Sequence, residues 1–225
     1  GPVSWDSNTS TRRTRNPYST HGYYFITQSA DNPQVVDSTT FLHSFYPSPD
    51  FYHTLYETDG YSWYHGGRNL FDPVAINVGS SKTFDISSNA KLGAARMSVN
   101  VSAGANSSIL VTHNGVDKGT LNVMLNEYDK GNEARTAYNI IRSKPIDEVK
   151  ISTVSGSPSR LDYISFIWNE PLPAPQLQKA SFPEPEYVQS ITNQDLHADG
   201  FADMIIIIPT GLKLKAQAER LKAFH

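Results

Sequence analysis

His53 and Glu57 stand four residues apart, with His43, Asp50, Asp59 and His65 close by in the chain. Imidazole nitrogens and carboxylate oxygens suit zinc, and on a helix the pair would share one face. The stretch reads as loop, however, with tyrosines filling the gaps, so a transition-metal site is not expected. Asp117, Asp129 and Glu133 offer the oxygen donors that calcium takes. Acidic residues at turns more often cap the backbone or stay solvated. Calcium is therefore the one cofactor left open, and no metal ligands are assigned.

Trp5, Trp63 and Trp168 stand among many tyrosines. On a β-sheet such rings can stack against sugars, because they supply contact area at low entropic cost. Trp168 and Phe166 lie in a strand-like run and read as core. Trp63, with Tyr61 and Tyr64 on either side of it, is the candidate ligand-facing group. Glu57, Asp59, Asp72, Glu127 and Glu133 could supply a glycosidase carboxylate pair, but no spacing selects two of them. His113 has no Gly-x-Ser-x-Gly partner for hydroxyl nucleophile chemistry. No catalytic residue is assigned.

The elements that must hold these residues are mostly strands. Tyr23–Thr27 reads as the first. Residues 41–72 are aromatic and broken by Pro47, Pro49 and Gly60, which predicts short strands and a long loop packed by its own rings. From residue 74 onward, eight segments alternate apolar with polar: 74–78, 82–87, 95–103, 108–115, 118–125, 134–141, 147–156 and 160–169. In the third of these, Ala95, Met97, Val99 and Val101 share one face while Arg96, Ser98, Asn100 and Ser102 share the other. Asn114-Gly115 is a strong hairpin signal. The pattern predicts a mainly β fold, an antiparallel β-sandwich of jelly-roll type over residues 21–170.

Pro171, Pro173, Pro175, Pro183 and Pro185 mark 171–186 as an extended linker. Beyond it, Met204–Ile208 is an unbroken apolar run of the kind buried in parallel sheets. Leu214, Ala218 and Leu221 then recur at helical spacing. Residues 187–225 thus read as the opening strand and helix of a truncated α/β domain. A run of isoleucines without its sheet is expected to pair with something, a second copy of the chain included. Residues 1–20 are polar and begin Gly1-Pro2, and are read as a flexible arm or tag remnant.

The formal net charge is −3 over 225 residues. Nothing in that balance favours nucleic acid or an anionic membrane surface. No segment has the length of a transmembrane helix. The sequence contains no cysteine, which excludes disulfides and a thiol nucleophile within these residues.

The stretch from Tyr187 to His225 resembles the entry to the catalytic domain of gingipain-like cysteine peptidases, most closely the type IX secretion sortases of Bacteroidota. Asn193, Gln194, Asp195, Leu196 and His197 match a motif before a core strand. Asp203, Met204, Ile205, Ile206 and Ile207 match that strand. Gln217, Ala218, Glu219, Arg220, Leu221 and His225 match the helix that follows. Upstream, 56–72 is similar to a family segment in which Gly67 and Arg68 fit. The resemblance implies an exported parent at the periplasmic or outer-membrane surface. Its peptidase domain would carry a His–Cys dyad and act on proteins with C-terminal sorting signals. The present chain would be its non-catalytic β-rich accessory part. A carbohydrate-binding or adhesion module is the alternative.

Overall fold

The computed structural model describes residues 3–16, 23, 26, 28, 30–32, 35, 37–64, 69–89, 91–126, 131–175, 184–190, 204–209, 211 and 213–224. The chain divides into two units, Gly1–Leu177 and Gln178–His225.

The first unit holds a β-sandwich. One sheet has the order β3 (His53–Glu57), β10 (Ser159–Trp168), β5 (Gly93–Ala103), β8 (Asn132–Arg142). The other runs β4 (Ser81–Asp85), β9 (Glu148–Ser155), β6 (Ser107–His113), β7 (Val116–Val123). Every pairing is antiparallel. The period-two pattern places these strands because one row of side chains can leave water only if the other faces away. Met97, Val99 and Val101 of β5 meet Ile109 and Val111 of β6 in the core between the sheets. Each such side chain, fully buried, contributes about 1.5–3 kcal/mol. Asn114 at φ 48 and Gly115 at φ 80 form the two-residue turn from β6 to β7, as the sequence predicts.

Four segments of this unit differ from expectation. Residues 3–16, read as an arm, contain β1 (Val3–Trp5) and β2 (Arg13–Arg15), which pair with each other in a separate two-stranded sheet. Three-residue polar strands carry no periodic signal, so the sequence hides them. Ser38–Phe45 is a helix, α1, capped by Asp37, whose side chain accepts from the Thr40 N–H at 3.0 Å. Its threonines and phenylalanines are poor helix formers, and the cap decides. Of the strand expected at 23–27, only Tyr23 and Ile26 are described, both exposed and in no strand. The run at 74–78 is reduced to one bridge, Ile76 to Ser159.

In the second unit, Lys215–Phe224 forms helix α2. Met204–Ile208 lies in no strand. A strand exists by pairing, and no partner strand lies among the described residues. Ile205 is 76% and Ile207 90% exposed. No described helix is long and apolar enough to cross a membrane.

Candidate functional site

The polar face of the β3–β10–β5–β8 sheet, turned away from the core, carries a dense group of charged side chains. Its origin is an irregularity in β10. Leu161 pairs with Val101, but Tyr163 pairs with Asn100, so Asp162 is an extra residue. Leu161 and Ile164 both enter the core. The two residues between them, Asp162 and Tyr163, both turn outward, which is how a bulge re-aims side chains. Across the strands Tyr163 opposes Glu57 and Asn100, and Asn100 opposes Arg135.

β2 lowers Arg13 onto this row. Its guanidinium bonds Glu57 through Nε at 2.9 Å and again through Nη2. It reaches Asp162 Oδ1 at 2.8 Å and lies over the Tyr163 ring, 4.6 Å from the centroid. Asn100 Nδ2 donates to Asp162 Oδ2 at 2.7 Å and to Glu133 Oε2 at 2.9 Å. Asn69 Nδ2 donates to Glu133 Oε1 at 2.8 Å and, at 3.4 Å, to Asp162 Oδ2. Arg15 pairs with Asp59 beside them. Burial pushes the Asp162 carboxyl up to about 7 against the pull of Arg13, and the carboxylates of Glu133 and Glu57 add to the rise. Burial lowers the Arg13 pKa, but Glu57 and Asp162 overcome it and hold the guanidinium above its ordinary value. The Asp162 side chain is wholly buried and bonded on both oxygens. It can hold a guanidinium, but it presents no open oxygen to a substrate.

His53, the first metal candidate, lies in the same face. Nδ1 sits 2.7 Å from the Pro49 carbonyl oxygen and Nε2 2.9 Å from that of Ser10. Its ring stacks on Trp5 at 4.0 Å, with planes 5° apart. Burial lowers its pKa, opposed by the two carbonyls. His43 is exposed on α1, and Asp50 accepts the Trp5 N–H at 2.9 Å. These groups do not converge, and His65 lies outside the described residues. For calcium, Asp117 accepts from the Thr112 hydroxyl at 2.8 Å, Glu133 is held by the two asparagines, and Asp129 lies outside the described residues. Among the described residues no three His, Cys, Asp or Glu side chains are placed to hold a metal.

Tyr61, Trp63 and Tyr64 follow β3. Tyr61 and Trp63 meet edge to face, 5.3 Å apart at 90°, so they give no coplanar platform. The Arg160 guanidinium covers Tyr61 at 3.6 Å from its centroid. Trp63 is half-buried and donates through Nε1 to the Ser102 hydroxyl at 3.1 Å. Tyr64 is 42% exposed. Trp168 and Phe166 stack in the core at 5.4 Å, as their alternation predicts.

Of the carboxylates, Asp72 takes both its contacts with Lys82 at 2.9 Å. Glu57 and Asp59 are spent on Arg13 and Arg15, and Glu127 lies outside the described residues. His113 is buried at the end of β6, with Nε2 2.5 Å from Asp147 Oδ1. Asp147 also faces Arg142 Nε at 2.7 Å. This cluster ties the ends of β6, β8 and β9 together, and the Ser87 hydroxyl beside it accepts the Asp147 N–H at 3.0 Å and donates to Asp85 at 2.6 Å. The sequence places Asn100 on the outward face of its strand and Arg13 in a polar N-terminal stretch, but gives neither a role at a site, and it does not mark Asp162. The one available signal was the three-residue step between core positions 161 and 164, where strict alternation asks for two.

No family model and no curated relative matches the chain. Among solved structures it is similar to dimeric latent PorU from Porphyromonas gingivalis, at 19% identity and TM-score 0.47, over 74% of this chain and 17% of that one. It is similar to a family 35 carbohydrate-binding module from Clostridium thermocellum, at 18% identity and TM-score 0.35, over 52% of this chain and 89% of the module. A third likeness is to the carbohydrate-binding module CBM36 in complex with calcium and xylotriose. There the identity is 18% and the TM-score 0.32, over 49% of this chain and 92% of the module.

Proposed function

We propose that this chain is the non-catalytic, β-rich accessory part of a longer gingipain-like cysteine peptidase or sortase that processes exported proteins at the bacterial surface. The observation that carries the reading is the apolar run at 204–208 with the helix after it. Ile205, Ile206 and Ile207 lie in no strand and are exposed, as are Leu214 and Leu221. Such a run asks for sheet neighbours on both edges and both faces. A continuing α/β layer of the same parent would provide them, and the same residues carry the family resemblance. The sandwich fits a supporting role, since the ionisable side chains traced on its polar face are bonded to one another and no nucleophile–base pair is found among them.

The test is to immunoprecipitate the native product and sequence it by mass spectrometry. A product running well beyond His225, with a His and a Cys in the continuation, supports the proposal. A product ending at His225 overturns it. A glycan array with the purified chain addresses the carbohydrate-binding reading, which the partial exposure of Tyr61, Trp63 and Tyr64 favours. Binding to a defined glycan that Trp63→Ala abolishes would replace the accessory reading with that one.

A further inference from the structure

The hairpin β1–β2 sits on the sandwich in the way a bound peptide does. Its strands pair only with each other, and a lone two-stranded hairpin is marginal in water. It contributes nothing to the core between the sheets, from which Trp5 is absent although buried. It covers the polar outer face instead.

Trp5 stacks on His53 and meets Tyr163 edge-on, 6.5 Å away at 83°. His53 is in register with Ile167, and Tyr163 with Asn100. Between those two registers lies the row made by Leu55, Ser165 and Ser98. Two small side chains give a ring room to approach. Both serines are fully buried, and neither hydroxyl has a protein partner among the described residues. A sealed, unpaired hydroxyl costs about 1–3 kcal/mol, whereas on an open face it costs nothing. Such a floor suits a surface that is also uncovered.

The remaining contacts read backbone and charge. Asp50 accepts the Trp5 N–H, His53 faces the Ser10 carbonyl, and the Tyr163 hydroxyl donates to the Thr11 carbonyl at 2.8 Å. Arg13 enters between Glu57 and Asp162. An aromatic side chain, main-chain groups and a guanidinium are each met by a specific partner, the combination used in peptide recognition.

We propose that the outer face of β3, β10 and β5 is a peptide-recognition site for a segment presenting an aromatic side chain and, on a paired strand, an arginine, with β1–β2 as its built-in occupant. The proposal goes beyond the accessory reading and does not depend on it. A site filled by its own chain is competed for at high effective concentration, so a second peptide enters only when the hairpin is freed.

The test places a protease recognition sequence between Pro17 and Gly22, cleaves the folded full chain, and titrates it with a fluorescein-labelled peptide of residues 3–16. The cleaved chain should exchange its hairpin and bind the peptide with a Kd below about 100 μM, and the uncleaved chain at least about tenfold more weakly. Peptides carrying Trp5→Ala or Arg13→Ala should bind about tenfold or more weaker, as should the parent peptide to Glu57→Gln protein. Core methyl NMR signals should persist through the exchange. Loss of those signals on hairpin release would show that β1–β2 is an integral part of the fold and overturn the proposal. So would failure of exchange over days, or altered peptides that bind equally well.

Discussion

Asp162 gives the folded sandwich a pH dependence of its own. Burial raises its carboxyl from 3.8 to about 7 on folding. Between those values the folded state holds a proton that the unfolded state has released, so stability falls as pH rises from about 4 to 7. Asp162→Asn should remove that slope. Against wild type, the variant should gain stability steadily over this range, on the order of a few kcal/mol in total, and stay level above it. Urea midpoints across the pH series check this, and parallel curves for the two proteins would refute it. His53 acts in the opposite sense. Its pKa is lowered from 6.5, so what it contributes is present above that value and is lost as pH falls. A glycine beside the cluster permits another test. A Cβ on Gly131 would lie 2.2 Å from the Trp63 indole. Gly131→Ala should displace Trp63 from Ser102, red-shift the tryptophan emission and lower stability by about 1–2 kcal/mol.

At the scale of elements, the strands of the sandwich were legible because two-residue alternation is both the signal in the sequence and the physical requirement of a half-buried sheet. β5 through β10 fall within a few residues of the segments marked by that pattern. The hairpin and the bulge were not legible. Val3–Trp5 and Arg13–Arg15 are too short to show a period, and their partners, Asp50, Glu57 and Asp162, lie far along the chain. The bulge at Asp162 appears in sequence only as a slipped core step. The candidate site was legible in part. His53 and Glu57 were singled out and do share a face, but through strand geometry, and what they meet is Trp5 and Arg13. The turn between β9 and β10 offers a sharper check. Gly156 has φ 96, and a Cβ there would meet the Asn106 carbonyl oxygen at 2.1 Å. Gly156→Ala should cost about 2–4 kcal/mol, seen as a drop in melting temperature. An unchanged melting temperature would mean the turn has a second conformation.

For the molecule as a whole, the consequence of the fold is an imbalance between its units. The sandwich buries an apolar core between its sheets, while the consecutive apolar residues Met204–Ile207 stand exposed. Exposed apolar segments with free backbone pairing groups associate. The chain should self-associate with rising concentration, and Ile205→Lys with Ile207→Lys should weaken that association about tenfold or more in sedimentation velocity. Identical sedimentation of the two proteins would remove that segment from the interface. On the proposed accessory role, that segment meets the rest of an α/β layer in a longer polypeptide. The most direct measurement is labelling of the native product with a cysteine-directed peptidase probe, followed by mapping of the labelled peptide. Since residues 1–225 contain no cysteine, the account predicts a label on a peptide of the same polypeptide that lies outside them. A native product that carries the sandwich and takes no label would contradict it.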